Sequence, residues 1–152
     1  MVEKFTNLSL TMFQLEGIIR YYDTWVLAWL PDELDKYYRS LLPKAWYVNP
    51  PMNKPHVSIV RKFEKPDRTY WGIHNGKSII VDVIPGIQTD GLYYWLDCFS
   101  DEVGYLRRRV GLSTFRDDNN SFAIYSCYHI TIGNVKNERH NKGIQEGSNG
   151  GD

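Results

Sequence analysis

Two short segments constrain this chain more than anything else in it. His56-Val57-Ser58-Ile59 and His129-Ile130-Thr131-Ile132 share one pattern: a histidine, a β-branched residue, a hydroxyl residue and a second β-branched residue. β-Branched side chains favour extended backbone, and on a strand residues i and i+2 share a face. His56 and Ser58 are therefore expected on one face, with Val57 and Ile59 on the other. The same holds for His129 and Thr131 against Ile130 and Ile132. Each segment offers an apolar face to a core and a histidine–hydroxyl face to something polar. One such pair is ordinary on a surface strand. Two of them, in a chain with only four histidines, point to a shared site.

The surroundings of the two segments repeat in order, though not in residue identity. Residues 18–30 (IIRYYDTWVLAWL) are β-branched and aromatic and predict a strand that Pro31 ends. In DELDKYYRSLL, Leu34, Tyr37, Tyr38, Leu41 and Leu42 fall at i, i+3, i+4, i+7 and i+8, which predicts an amphipathic helix closed by Pro43. A proline-rich loop then leads to the His56 strand. In the second half, the turn Asp90-Gly91 precedes a strand over Leu92–Phe99. Ser100 is placed to cap a helix through Val103, Leu106 and Val110, with Gly111 as its stop. The polar loop FRDDNNS follows, and then the run FAIYSCYHITIGNV. Residues 77–87 (KSIIVDVIPGI) supply one more strand between the halves. The expectation is an α+β domain over residues 1–136, built as two pseudo-symmetric lobes, each a sheet with a helix against it. Residues 137–152, with four glycines and few large apolar side chains, read as a disordered tail.

What can two imidazoles and two hydroxyls do? Neutral histidine is a common metal ligand. However, no carboxylate stands near either segment in sequence, and a Ser or Thr hydroxyl is a poor zinc ligand. Phosphodiester transfer fits better and needs no metal or other cofactor. One imidazole takes the proton of a ribose 2′-hydroxyl as it attacks the neighbouring phosphorus, and the other protonates the leaving 5′-oxygen. The hydroxyls donate to the non-bridging oxygens, where charge builds up.

HVSI and HITI resemble the paired H-x-[S/T]-hydrophobic motifs of the 2H phosphoesterases, over roughly residues 18–136. The resemblance implies a bilobal α+β fold with a central cleft between the lobes. It also implies His56 and His129 as the acid–base pair and Ser58 and Thr131 as phosphate binders. The helix YYRSLLP and the flanks PHVSIVR and YHITIGNVK are similar to the phage branch of that family. That branch includes the anti-CBASS nucleases, which destroy cyclic di- and trinucleotide signals of bacterial defence.

Composition sharpens the partner. Lys+Arg and Asp+Glu number 18 each, so the chain lacks the basic excess of proteins that bind long nucleic acids. A small anionic ligand needs only a local pocket, and Lys54–Lys77, around the first segment, holds six basic and two acidic residues. Five Trp and eleven Tyr supply rings for stacking on bases. Tyr22, Trp25, Trp71 and Tyr94 are the candidates, with Asn134 and Lys136 as polar contacts just past the second segment. Two alternatives stay open: a 2′,3′-cyclic phosphodiesterase acting on RNA ends, and a binder that sequesters nucleotides without cleaving them. Cys98 and Cys127 lie outside any CxxC pair and read as buried free thiols of a cytosolic protein. No secretory signal and no run long enough for a membrane helix are visible.

Overall fold

The computed structural model describes residues 12–114 and 127–136. The expected C-terminal tail, the FRDDNNS loop and the start of the last β run lie outside the described residues. Within them, the chain is mixed α and β. Its elements are β1 (Phe13–Tyr21), β2 (Val26–Trp29), α1 (Leu34–Ser40), a 3₁₀ turn (Lys44–Trp46), β3 (His56–Val60), β4 (Ser78–Thr89), β5 (Tyr93–Phe99), α2 (Asp101–Arg109) and β6 (Cys127–Asn134). The six strands form one sheet in the order β3-β2-β1-β4-β5-β6, with every neighbouring pair antiparallel.

That order mirrors itself about the β1–β4 pair. Each half contributes two strands, a helix and a motif strand, and the motif strands are the two outermost. The sheet curls until β3 and β6 approach each other, which leaves it nearly closed. One expectation is corrected here. The helices do not lie on the strands of their own halves alone. α1, from the first half, packs on β6, and α2, from the second, packs on β3 and β4.

The strand predicted over residues 18–30 is instead a hairpin. β1 begins earlier, at Phe13, and the chain turns through Tyr22–Trp25, closed by the Tyr22 N–H donating to the Trp25 carbonyl at 2.7 Å. Asp23 and Thr24 are turn formers hidden between aromatic residues, so the β-type composition hid the break. α1 is also shorter than its apolar spacing suggests. Leu34 and Tyr38 are buried, but Tyr37 is exposed, and Leu41 lies beyond the helix end and is exposed too. α2 matches its signals: the Ser100 hydroxyl accepts from the Val103 N–H, and Gly111 adopts a φ of 77° at the stop.

The core runs along one face of the sheet and under the helices. Val57, Ile59, Ile130 and Ile132, the apolar residues of both motifs, are all at most 2% exposed. Burying each aliphatic side chain contributes about 1.5–3 kcal/mol, which pins the motif strands in the register that turns their histidines the other way. Among the described residues, no helix is long and apolar enough to cross a membrane.

Candidate active site

Between β3 and β6 lies a cavity of about 220 Å³. It is lined by His56, Ser58, His129 and Thr131, together with Arg61, Arg107, Thr114, Cys127 and Tyr128. The four motif side chains, separated by some 70 residues of chain, thus share one concave surface because the sheet curls its two edges together.

The two imidazoles are held differently. His56 Nδ1 is 2.8 Å from the Lys54 carbonyl oxygen. A carbonyl only accepts, so Nδ1 carries the proton and Nε2 keeps its lone pair. The edges of Trp25 and Trp29 meet the His56 ring, at centroid distances of 5.5 and 5.6 Å. Burial pushes His56's pKa below its ordinary value, and the Lys54 carbonyl offsets part of that shift. His56 is therefore neutral at pH 7.

His129 instead has a carboxylate neighbour. Its Nε2 is 3.3 Å from Asp97 Oδ1, across the β5–β6 pair in which Asp97 and His129 stand opposite each other. Trp95, two residues along β5, tilts over the imidazole at 5.0 Å and donates its Nε1–H to the same Asp97 oxygen at 3.1 Å. The hydrogen bond from His129 holds the Asp97 carboxyl below the usual range despite partial burial, so Asp97 is an anion at neutral pH.

Two arginines add positive charge. Arg107 is 5% exposed, and its guanidinium donates to the Ile59 carbonyl at 2.7 Å, to the Ser113 carbonyl at 2.7 Å and to both oxygens of Glu64 at 2.6 and 2.9 Å. Burial pushes the Glu64 carboxyl up, but hydrogen bonds and charge from Arg107 and Arg61 outweigh it and hold it down to about 2. Arg61 is about half exposed and lines the cavity. Among the described residues lining it there is no carboxylate, while just behind them Glu64 pairs with both arginines and Asp97 with His129. Among the described residues, no group of three or more His, Cys, Asp or Glu side chains is placed to hold a metal ion.

The remaining candidates are dispersed. Tyr22 and Trp25 form a tilted ring pair at 5.7 Å beside His56, and the Trp29 Nε1–H donates to the Tyr22 hydroxyl. Trp71 lies away from the cavity. It packs edge-on against Tyr21 at 5.3 Å, carries Arg68 over its face at 4.0 Å and donates to the Tyr22 carbonyl. Tyr94 points into the core against Trp46 and is 7% exposed. The strand alternation of β5 gives the reason: Tyr94, Leu96 and Cys98 are buried, while Trp95 and Asp97 lie on the opposite, half-buried face against His129. Asn134 pairs through its backbone with Asn49, and Lys136 lies over the Tyr93 ring at 4.9 Å; neither lines the cavity. Cys98 is buried, as expected, but Cys127 is only half-buried and lines the cavity.

Asp97, Trp95, Trp29, Arg61 and Arg107 were not found by sequence reasoning. Asp97 and Trp95 carried a usable signal, since both sit at i, i+2 spacing in a strand that contains a single carboxylate. Compared with known proteins, the chain matches no family model, no curated protein and no solved structure.

Proposed function

We propose that the chain is a metal-independent phosphodiesterase that opens the 3′–5′ linkages of cyclic di- and trinucleotides. One observation carries the reading: both histidine–hydroxyl pairs line a single cavity that also presents Arg61 and Arg107. The mirrored strand order about β1 and β4 supports a bilobal, 2H phosphoesterase-like reading of the fold. The resemblance of the flanks to the phage branch extends the substrate to the cyclic signals of bacterial defence, met in the cytoplasm of an infected cell.

The asymmetry of the imidazoles supports one division of their roles. His56, neutral with its Nε2 lone pair available, is the base that takes the proton from the ribose 2′-hydroxyl. The oxygen so activated attacks phosphorus, the bond to the 5′-oxygen breaks, and a 2′,3′-cyclic phosphate forms. His129, oriented by Asp97, is the acid that gives its proton to the departing 5′-oxygen. Ser58 and Thr131 donate to the non-bridging oxygens as their charge rises. A cavity of about 220 Å³ suits one linkage, and the bases beside it meet Trp25, Trp29 or Trp95.

The test is a panel of cyclic di- and trinucleotides incubated with the protein in EDTA, followed by chromatography and mass spectrometry. Linearised product is expected, with analogues lacking the 2′-hydroxyl left intact. RNA-end fragments bearing 2′,3′-cyclic phosphates run in parallel. Turnover of those alone replaces the substrate assignment, and full activity of a His56→Ala, His129→Ala double variant overturns the mechanism.

A further inference from the structure

Each motif strand ends the sheet order, so among the described residues one side of its backbone has no neighbouring strand of the sheet. In each case an arginine from the helix of the other half takes up a carbonyl there. Arg39, in the last turn of α1, donates to the carbonyl of Ile132 on β6 at 2.8 Å. Arg107, in the last turn of α2, donates to the carbonyl of Ile59 on β3 at 2.7 Å. Ile132 and Ile59 are equivalent: each directly follows the hydroxyl residue of its motif. The arginines are equivalent as well, since Tyr37-Tyr38-Arg39 and Tyr105-Leu106-Arg107 share a Tyr-x-Arg spacing at the ends of their helices.

We propose that Arg39 and Arg107 are a crossed pair of positioning residues, each fixing the motif strand of the opposite half so that both histidine–hydroxyl pairs face one cavity. The surrounding contacts fit this role. Each guanidinium is clamped by a carboxylate, Arg39 by Asp35 one turn earlier on α1 and Arg107 by Glu64 just past β3. Each therefore offers a fixed, planar donor rather than a mobile charge. The packing beside Arg39 leaves no slack. A Cβ at Gly133, next to Ile132, would stand 2.6 Å from Val48 Cγ1, 2.7 Å from the Asn49 carbonyl oxygen and 3.1 Å from Arg39 Cδ. The crossing also explains why α1 packs on β6 and α2 on β3.

Arg39 is the cleaner probe, because it is not among the residues lining the cavity, whereas Arg107 is. The experiment follows the imidazole resonances of His56 and His129 by NMR through a pH titration of the full chain. Wild type is compared with Arg39→Met, Arg39→Lys, Arg107→Met and Arg107→Lys. The crossed arrangement predicts that Arg39→Met shifts the His129 resonances and their titration and leaves those of His56 in place. Arg107→Met does the reverse. The lysine variants, which keep one donor, give smaller shifts of the same identity and remain readable if the methionine variants fail to fold. In wild type, the guanidinium N–H signals of both arginines are expected to exchange slowly with water. Shifts confined to the histidine of the arginine's own half, shifts of both histidines alike, or fast guanidinium exchange each overturn the proposal.

A kinetic arm rests on the phosphodiesterase reading. In it, Arg39→Met lowers kcat by ~10- to 100-fold with KM within about twofold, and Arg39→Lys recovers part of the loss, as expected when reacting groups are displaced by a fraction of an ångström. An unchanged kcat alongside the predicted NMR shifts overturns the positioning role in catalysis. A protein without phosphodiesterase activity overturns the functional reading instead, and the NMR arm still decides the crossing.

Discussion

His56 and His129 stand at matching points of β3 and β6, with a hydroxyl two residues on and a buried aliphatic residue on each side of it. Their immediate surroundings nevertheless differ in sign. His56 sits among ring edges, with its Nδ1 proton given to a backbone carbonyl, and burial keeps it uncharged. His129 lies under a tryptophan and against a carboxylate that stays ionised. A repeat in chain order has thus been specialised through its second layer of residues, Lys54 and the tryptophans on one side, Asp97 and Trp95 on the other. General acid–base catalysis needs such a difference, because two identical imidazoles would compete for the same protonation state.

The comparison can be broken most forcefully at the histidines. Under the proposed phosphodiesterase reading, His56→Ala and His129→Ala are each expected to lower kcat by about 10²–10⁴-fold. Their pH dependences separate them. Under the same reading, the acid limb of wild-type kcat/KM follows protonation of His56, so the rate is expected to fall only below about pH 6.5, because His56 is held under that value. Stopped assays from pH 4.5 to 9 read both limbs. Next in size, Thr131→Val removes a donor while keeping the shape, and kcat falls by ~10²-fold with the pH profile unmoved.

Glu64→Gln addresses stability rather than chemistry. It leaves the buried Arg107 guanidinium without its anion, at a cost of about 3 kcal/mol at pH 7. The wild-type carboxyl has a lower pKa folded than unfolded. Its contribution is therefore present above about pH 4.5 and is lost as pH falls toward 2. Urea midpoints of wild type and variant should differ clearly at pH 7 and converge near pH 2; a constant gap would remove Glu64 from the account. Asp97→Asn sharpens the contrast directly, with kcat lowered ~10-fold or more through a misoriented His129. The acid limb set by His56 stays put. The smallest effect belongs to Tyr22→Phe, which removes an exposed acceptor for the Trp29 Nε1–H and costs about 0.5–1 kcal/mol in the midpoint of thermal unfolding.

Alternation along a strand is a local property, so the sequence alone showed which side of β3 and β6 carries His56, Ser58, His129 and Thr131. The same holds for the Ser100 cap and the Gly111 stop, which depend on residues within a turn or two. Cross-strand register is not local. Asp97 lies 32 residues before His129 in the chain, and only the pairing of β5 with β6 places them together. Tyr94 and Trp95 are both aromatic, and only the face each takes on β5 separates the buried ring from the one that meets His129. Arg107 read as a helix-end cation suited to the dipole, and nothing nearby in sequence marks a residue bound to Ile59, 48 positions away. The Tyr22–Trp25 turn was missed because aromatic residues signal β structure even where Asp23 and Thr24 reverse the chain.

The position of the motif strands at the two ends of the sheet has a consequence for folding. The cavity exists only when the last edge has come round to meet the first, so it is defined by contacts of large sequence separation, which carry a high loop-closure entropy and form late. A chain with either half fully formed and the seam open would carry every motif residue and have no cavity. Under the proposed reading, enzymatic activity is then a direct gauge of completed closure. A nick in the long connection between β3 and β4 should give two fragments that are silent apart and active together.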